Sequence, residues 1–343
     1  MRFTVQGAPH QPSAPQVSTL MTKVLIALIP AVLAHLWVFG SGLLIQLVLA
    51  CFFGLGFEAL TLKYRGRRLK PFLSDGSVVV TALLFVLCLP PLTPWWITAT
   101  GMLFAVVVAK HLFGGLGYNM FNPAMVGVAV VVIAFPVEFS QWLAPGALTE
   151  SAMGFPETLA AITQGGLATD PAWDALTAPT VLDLMRAGLQ DQMLVPEITD
   201  QAPFGTLSGQ GWDLINLALL LGGLWLLWQG VISWHVPVAV AATTIFLALP
   251  LWLISPDLHP SPLFQLFSGG LLLGAFFIAT DPVSGSATFR GKILFGIGVA
   301  VLTLAIRRWG GFPDGVAFAV LLMNMWVPLI DRYTRPRVYG HSG

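Results

Sequence analysis

Long, uninterrupted apolar runs constrain this chain more than any motif does. "VLIALIPAVLAHLWVFG" from Val24 and "WDLINLALLLGGLWLLWQGVI" from Trp212 approach or reach the ~20 residues that carry a helix across a ~30 Å hydrocarbon core. No segment alternates as a barrel strand would, so the spans are expected to be helical, with every backbone group satisfied inside the segment. Composition agrees: 56% of the 343 residues are hydrophobic and 9% charged, against roughly 25% charged in a soluble domain. The expectation is an all-α integral membrane protein.

A formal net charge of zero and short basic clusters argue against a nucleic-acid partner and read instead as topology signals toward the lipid bilayer. Cys51 and Cys88 stand alone in apolar runs, without C-x-x-C spacing, and read as packing residues. No metal site is expected, since the loop acids are scattered without the spacing of a calcium loop. The first run follows a polar leader and has no small-x-small cleavage site after it, so it reads as a retained helix.

Ten apolar segments can be marked, at 24–40, 43–62, 77–89, 95–113, 122–136, 212–232, 236–254, 265–280, 293–309 and 315–330. With the N-terminus inside, thirteen of the sixteen Lys and Arg residues fall in cytoplasmic pieces, five of them in Lys63 to Lys70, as the positive-inside rule requires. The division that follows is a cytoplasmic leader (1–23), a first five-helix membrane repeat (24–136), an extracytoplasmic acidic loop (137–211), a second five-helix repeat (212–330) and a cytoplasmic tail (331–343). The loop carries nine acidic residues against the single Arg186.

Two correspondences relate the halves. "FGGLGYNMFNPAMVGVA" (Phe113 to Ala129) and "WGGFPDGVAFAVLLMNM" (Trp309 to Met325) share an aromatic-Gly-Gly start at an offset of 196 residues. "GSVVVTALLF" from Gly76 matches "GGLLLGAFFI" from Gly269. Five spans per half would make the second copy run the opposite way, an inverted repeat with broken or short helices. Val78 to Leu89 would span only about 18 Å before Pro90 and Pro91, a half-helix that needs protein or a cavity around its ends.

Four polar constellations stand at the boundaries. In "SDGS" (Ser74 to Ser77) a side chain can cap a helix start, or the free amides can face a ligand. In "GGLGYNMFNPAMVG" (Gly114 to Gly127) Asn122-Pro123 is an ordinary helix opening, while its glycines permit close approach of a planar ligand. Asp281 in "ATDPVSGSATFRGK" (Ala279 to Lys292) ends a helix or contacts a cofactor or ion. In "DALTAPTVLDLMRAG" (Asp174 to Gly188), Thr180 reads as the cap of a short helix ending at Gly188, with Asp183 completing a capping box. Glu58, the one acidic residue clearly inside an apolar run, is expected to pair with Lys63 about a turn away, or else to serve an ion site.

"SDGSVVVTALLFVLCLPP", "GGLGYNMFNPAMVG", "ATDPVSGSATFRGK" and "GGFPDGVAFAVLLMNMWVPLIDRYTRPRVYG" resemble the RnfD/NqrB family. That family comprises the D-type subunits of the Rnf electron transport complex and the related B-type subunits of the sodium-translocating NADH:quinone oxidoreductase. The resemblance runs from about Lys23 to Gly340. It implies a multi-pass subunit of the bacterial inner membrane that relays electrons between ferredoxin and NAD, coupled to movement of Na⁺ or H⁺. It implies covalent FMN on the outward loop, joined through its phosphate to a threonine. Asp174-Ala-Leu-Thr177-Ala178-Pro179-Thr180-Val-Leu182 fits that family pattern, with the acceptor at Thr180 and Thr177 as runner-up; Ala178-Pro179 departs from the commoner Gly-Ala. It further implies a non-covalent riboflavin, for which Asn122 and Asp281 are the matching residues. Its partners would be the other Rnf subunits, of the A, B, C, E and G types, and an FAD-dependent flavin transferase. No catalytic residue is expected in this chain alone. The rival readings are a solute channel or transporter of inverted-repeat architecture and a structural membrane scaffold.

Overall fold

The computed structural model describes residues 17–146, 153–164 and 176–336. The leader up to residue 16, Asp174 of the loop motif and the tail from residue 337 lie outside the described residues.

The apolar runs become helices, in chain order α1 (Val17–Phe39), α2 (Gly42–Tyr64), α3 (Ser77–Val86), α4 (Trp95–Leu103) and α5 (Pro123–Ala134). The loop follows with α6 (Phe155–Gln164), α7 (Val181–Gln190) and α8 (Val195–Thr199). Then come α9 (Trp212–Trp228), α10 (His235–Ile254), α11 (Pro262–Phe267), α12 (Leu271–Leu273), α13 (Phe289–Trp309) and α14 (Val316–Thr334). Five of these, α1, α2, α10, α13 and α14, are long and apolar enough to cross a membrane. Only one two-stranded sheet interrupts the helices among the described residues, so the chain is all-α in class.

The short and broken helices expected from the sequence are present. Helix α3 stops at Val86, four residues before Pro90-Pro91, because proline removes an amide and restricts its predecessor. The segment expected at 265–280 is three pieces: α11, then α12 after Gly269 and Gly270, then a π-helical turn over Gly274–Ile278. Helix α4 likewise loosens into a π-helical stretch over Phe104–His111. Such turns leave backbone groups to be satisfied by neighbours.

Packing has a pairwise symmetry. Helix α1 lies along α9; α2 packs on α3 and α4 as α10 packs on the π-turn after α12 and on α13; α4 packs on α5 as α13 packs on α14; and α5 meets α14. The α1–α9 contact depends on glycine. A Cβ on Gly222 would collide with the carbonyl oxygen of Ala27, a backbone atom that cannot step aside. Without a hydrophobic drive between helices in lipid, close approach at small residues is what holds such pairs. A Gly222→Ala chain is therefore expected to lose about 1–3 kcal/mol, read as a lower midpoint of unfolding in detergent; an unchanged midpoint would show that the two helices can part freely.

Candidate functional site

The polar loop is tied down by a small strand pair. Trp142–Leu143 (β1) pairs antiparallel with Thr177–Ala178 (β2), Trp142 opposite Ala178 and Leu143 opposite Thr177. Ala178 is extended, as a residue before proline must be, and Pro179 delivers the chain to Thr180 at φ −68°, ψ 160°. Thr180 is the N-cap of α7, as expected. Its Oγ1 accepts from the amide of Asp183 at 3.2 Å, and Asp183 Oδ2 accepts from the amide of Thr180 at 3.1 Å. The Thr180 hydroxyl also donates to Asp183 Oδ2 at 2.6 Å.

Helix α7 does not end at Gly188. It runs on to Gln190, and Gly188 is there for packing: a Cβ would lie 2.6 Å from Ile198. Val181, Leu182 and Met185 bury one face of α7 against Ile198, Phe204 and Phe264. Thr180, Asp183 and Arg186, three residues apart, share another face and line a cavity of about 360 Å³. Across the cavity stand Gly269, Gly270 and Asp314, with Cys88 and Met125 from the first half of the chain. Trp142 and Trp212, rings 5.1 Å apart, close one side. Gly269 has φ +59°, and a Cβ there would meet Asp314 at 2.5 Å and Leu182 at 2.6 Å, so only glycine lets the loop sit this close to the helices. Burial pushes the Asp183 carboxyl above the usual aspartate range; the bonds from Thr180 and the charge of Arg186 oppose this, and Asp314 adds to it.

Two ion clusters, one buried and one with its carboxylate half-buried, pin the broken helices. In the second half Arg307 donates to Gln265 O at 2.7 Å, Ser268 O at 2.8 Å and Asp314 Oδ1 at 3.2 Å, while Asp314 Oδ2 accepts from the amide of Gly270 at 2.7 Å. The start of α12 is thus held by a carboxylate and the end of α11 by a guanidinium fork. In the first half Lys110 Nζ donates to Glu58 Oε1 at 2.7 Å and to Ser77 Oγ at 2.8 Å, at the start of α3. Asp75 Oδ1 accepts from the amide and hydroxyl of Ser77 at 2.8 and 2.6 Å, so the capping reading of "SDGS" holds geometrically. His111 Nε2 lies 3.3 Å from the same Glu58 oxygen. The expected Glu58–Lys63 pair is not formed: Lys63 is exposed, and the partner of Glu58 is the buried Lys110, 52 residues away.

A model of the NQR2, RnfD, RnfE family matches residues 4–340. The chain belongs to this family. Its relatives include proteins named as the D-type subunit of an ion-translocating oxidoreductase complex. That of Aeromonas hydrophila is 46% identical, covering 98% of this chain and 99% of the relative. That of Aliivibrio salmonicida is 45% identical over 100% and 99%. That of Escherichia coli O127:H6 is 44% identical over 99% of each. Together with the long apolar helices, this makes the chain a multi-pass membrane protein.

In this member of the NQR2, RnfD, RnfE family, Asn122 and Asp281 lie on one connected hydrogen-bond path. Asn122 caps α5 by accepting from Met125 at 3.2 Å, and its amide donates to Asn324 Oδ1 at 3.1 Å. Asn324 Nδ2 donates to Ser284 O at 2.9 Å, and the Ser284 hydroxyl donates to Asp281 Oδ2 at 2.7 Å. Asp281 Oδ1 accepts from Val283 at 3.1 Å, so both carboxylate oxygens serve their own turn. Asn119, in the same glycine-rich motif, is buried with its Oδ1 unpartnered. Sequence reasoning missed Asn324, Asp314 and Arg307 as members of these clusters; the 196-residue offset, which sets His111 against Arg307, was a signal that could have found the last of them.

Proposed function

We propose that this chain is a membrane subunit of a redox-driven ion translocase that carries FMN on Thr180 and riboflavin beside Asn122 and Asp281. The observation that carries the covalent site is the placement of Thr180 on the wall of a cavity of about 360 Å³, within the size range of sites that bury a small aromatic ligand. The lining suits such a ligand: Trp142, Trp212 and Phe312 offer ring faces, and Arg186 is the single basic residue in 137–211. Bound flavin supplies one- and two-electron chemistry.

This chain's residues do the holding. Arg186 neutralises the phosphate, the first amides of α7 face an anion favourably, and the apolar walls exclude water from the ring. Asn122 and Asp281 stand on a network that Asn324 completes, and the spare oxygen of Asn119 is a hydrogen-bond acceptor for a flavin edge. The redox reading is favoured over a solute channel because the relatives are named as oxidoreductase subunits.

The architecture proposed is ten spans in two inverted five-helix repeats, at 24–136 and 212–330, flanking an outward loop at 137–211, with both termini cytoplasmic in a bacterial inner membrane. Pairwise helix packing and the two matched ion clusters support it. Partners are the other Rnf subunits, among them the A, B, C, E and G types, and a flavin transferase. Electrons pass between ferredoxin and NAD through the complex, coupled to Na⁺ or H⁺ movement. The test is direct: the chain is made beside a flavin transferase, denatured in SDS and viewed under ultraviolet light, and its peptides are weighed. A peptide containing Thr180 that is heavier by FMN less one water is the expected result; an unmodified Thr180 peptide overturns it.

A further inference from the structure

We propose that Asp183 accepts the hydroxyl proton of Thr180 as that oxygen is esterified, so that the chain brings a catalytic carboxylate to its own modification. This rests on the reading of Thr180 as the flavin acceptor. A capping box needs two bonds, from the Asp183 amide to Oγ1 and from the Thr180 amide to the carboxylate, and both are made. The third bond, Oγ1–H to Asp183 Oδ2 at 2.6 Å, is not required for capping. It holds the proton that must leave on the oxygen that can take it, within the reach a general base needs.

An alcohol is a weak nucleophile until a base relieves it of that proton. Residues 137–211 contain no His or Lys, and among the described residues it is the Asp183 carboxylate that accepts from the Thr180 hydroxyl. The charged groups facing Asp183 are Arg186 on its own helix and Asp314 from the segment before α14, itself held by Arg307. Burial and Asp314 make Asp183 more basic than an ordinary aspartate, while the bonds from Thr180 and the charge of Arg186 oppose that shift. The Thr180 amide fixes the same Oδ2 from the backbone, so the carboxylate stays aimed while the hydroxyl bond is broken.

The step balances without any change of oxidation state. Flavin adenine dinucleotide is the co-reactant, brought by the transferase. Thr180 Oγ1 bonds to the phosphorus on the riboflavin side of the diphosphate, the bridging P–O bond breaks, and adenosine monophosphate leaves with that electron pair. The hydroxyl proton goes to Asp183 Oδ2.

The test uses the full chain, purified in detergent from cells lacking the transferase, then incubated with transferase and flavin adenine dinucleotide across a range of pH. The initial rate of SDS-stable fluorescence is read, and variant rates are divided by wild type at each pH to cancel the transferase's own titration. Asp183→Asn keeps an oxygen for the Thr180 amide but cannot take a proton, and is expected to slow labelling about 100-fold at neutral pH. The wild-type rate should rise with pH through an acid limb above the ordinary aspartate range, absent in the variant. Asp183→Glu should recover much of the rate, while Asp183→Ser, which has no carboxylate to take the proton, should not. Asn or Ser variants labelled at Thr180 within twofold of wild type, with the same acid limb, overturn the role of Asp183 and leave the acceptor intact. A wild-type chain with no label on the Thr180 peptide overturns the acceptor reading itself.

Discussion

A Lys110→Met chain is expected to lose about 3–5 kcal/mol of stability. Lys110 and Glu58 are buried together, with 2% and 0% of their surfaces exposed, and the lysine also holds Ser77 at the start of α3. Removing it strands a carboxylate away from water and frees a half-helix whose other end already stops at Val86. One Glu58 oxygen has no partner even in the intact cluster, and the other is left with His111 Nε2 at 3.3 Å alone. Glu58→Gln added to Lys110→Met removes the orphaned charge and should restore most of the loss, because replacing both members of a buried pair is often close to neutral. Arg308→Met, at an exposed position, is the control and should stay within about 0.5 kcal/mol. Unfolding in detergent followed by circular dichroism measures all three; a Lys110→Met midpoint equal to wild type would mean that the cluster is solvated.

Thr180→Val should remove SDS-stable flavin completely, while Thr180→Ser keeps it. Valine matches the shape but has no oxygen to esterify, and it also loses the cap of α7, which costs about 1 kcal/mol. That cost is borne by the rest of the loop: β1–β2 still clamps the chain before Pro179, and Val181, Leu182 and Met185 still bury against Ile198 and Phe204. The loss of label therefore reports chemistry and not collapse. Fluorescence that persists in Thr180→Val and disappears in Thr177→Val would move the acceptor to Thr177, three residues upstream in β2.

The helical spans were legible because burial in lipid demands length and apolarity, which a window of sequence records directly. The caps at Asn122 and Thr180 were legible too, since capping is a contact within four residues. What was not legible is contact across the fold. Local spacing gave Glu58 to Lys63, yet the lysine that reaches it comes from the π-helical stretch ending at His111. Gly188 looked like a helix stop because glycine usually is one after a basic residue; the side chain of Ile198, invisible to a local pattern, is why it is there. The cavity could not be read at all, being an assembly of segments that share no motif. Asp183 was visible as a cap partner, but its third bond to Thr180 depends on a hydroxyl rotor that spacing does not determine.

The cavity's walls also fix an order of events in biogenesis. They are drawn from Leu87, just after α3, through to Phe318 in α14. A ribosome releasing this protein exposes Thr180 long before it releases Phe312 or Phe318, so for that interval the threonine is present but its pocket is not. Whatever occupies the pocket can settle there only once the last span is in place. The proposed attachment at Thr180 and any seating in the pocket are thus separable in time, and a chain truncated before α14 would retain Thr180 while lacking the enclosure built around it.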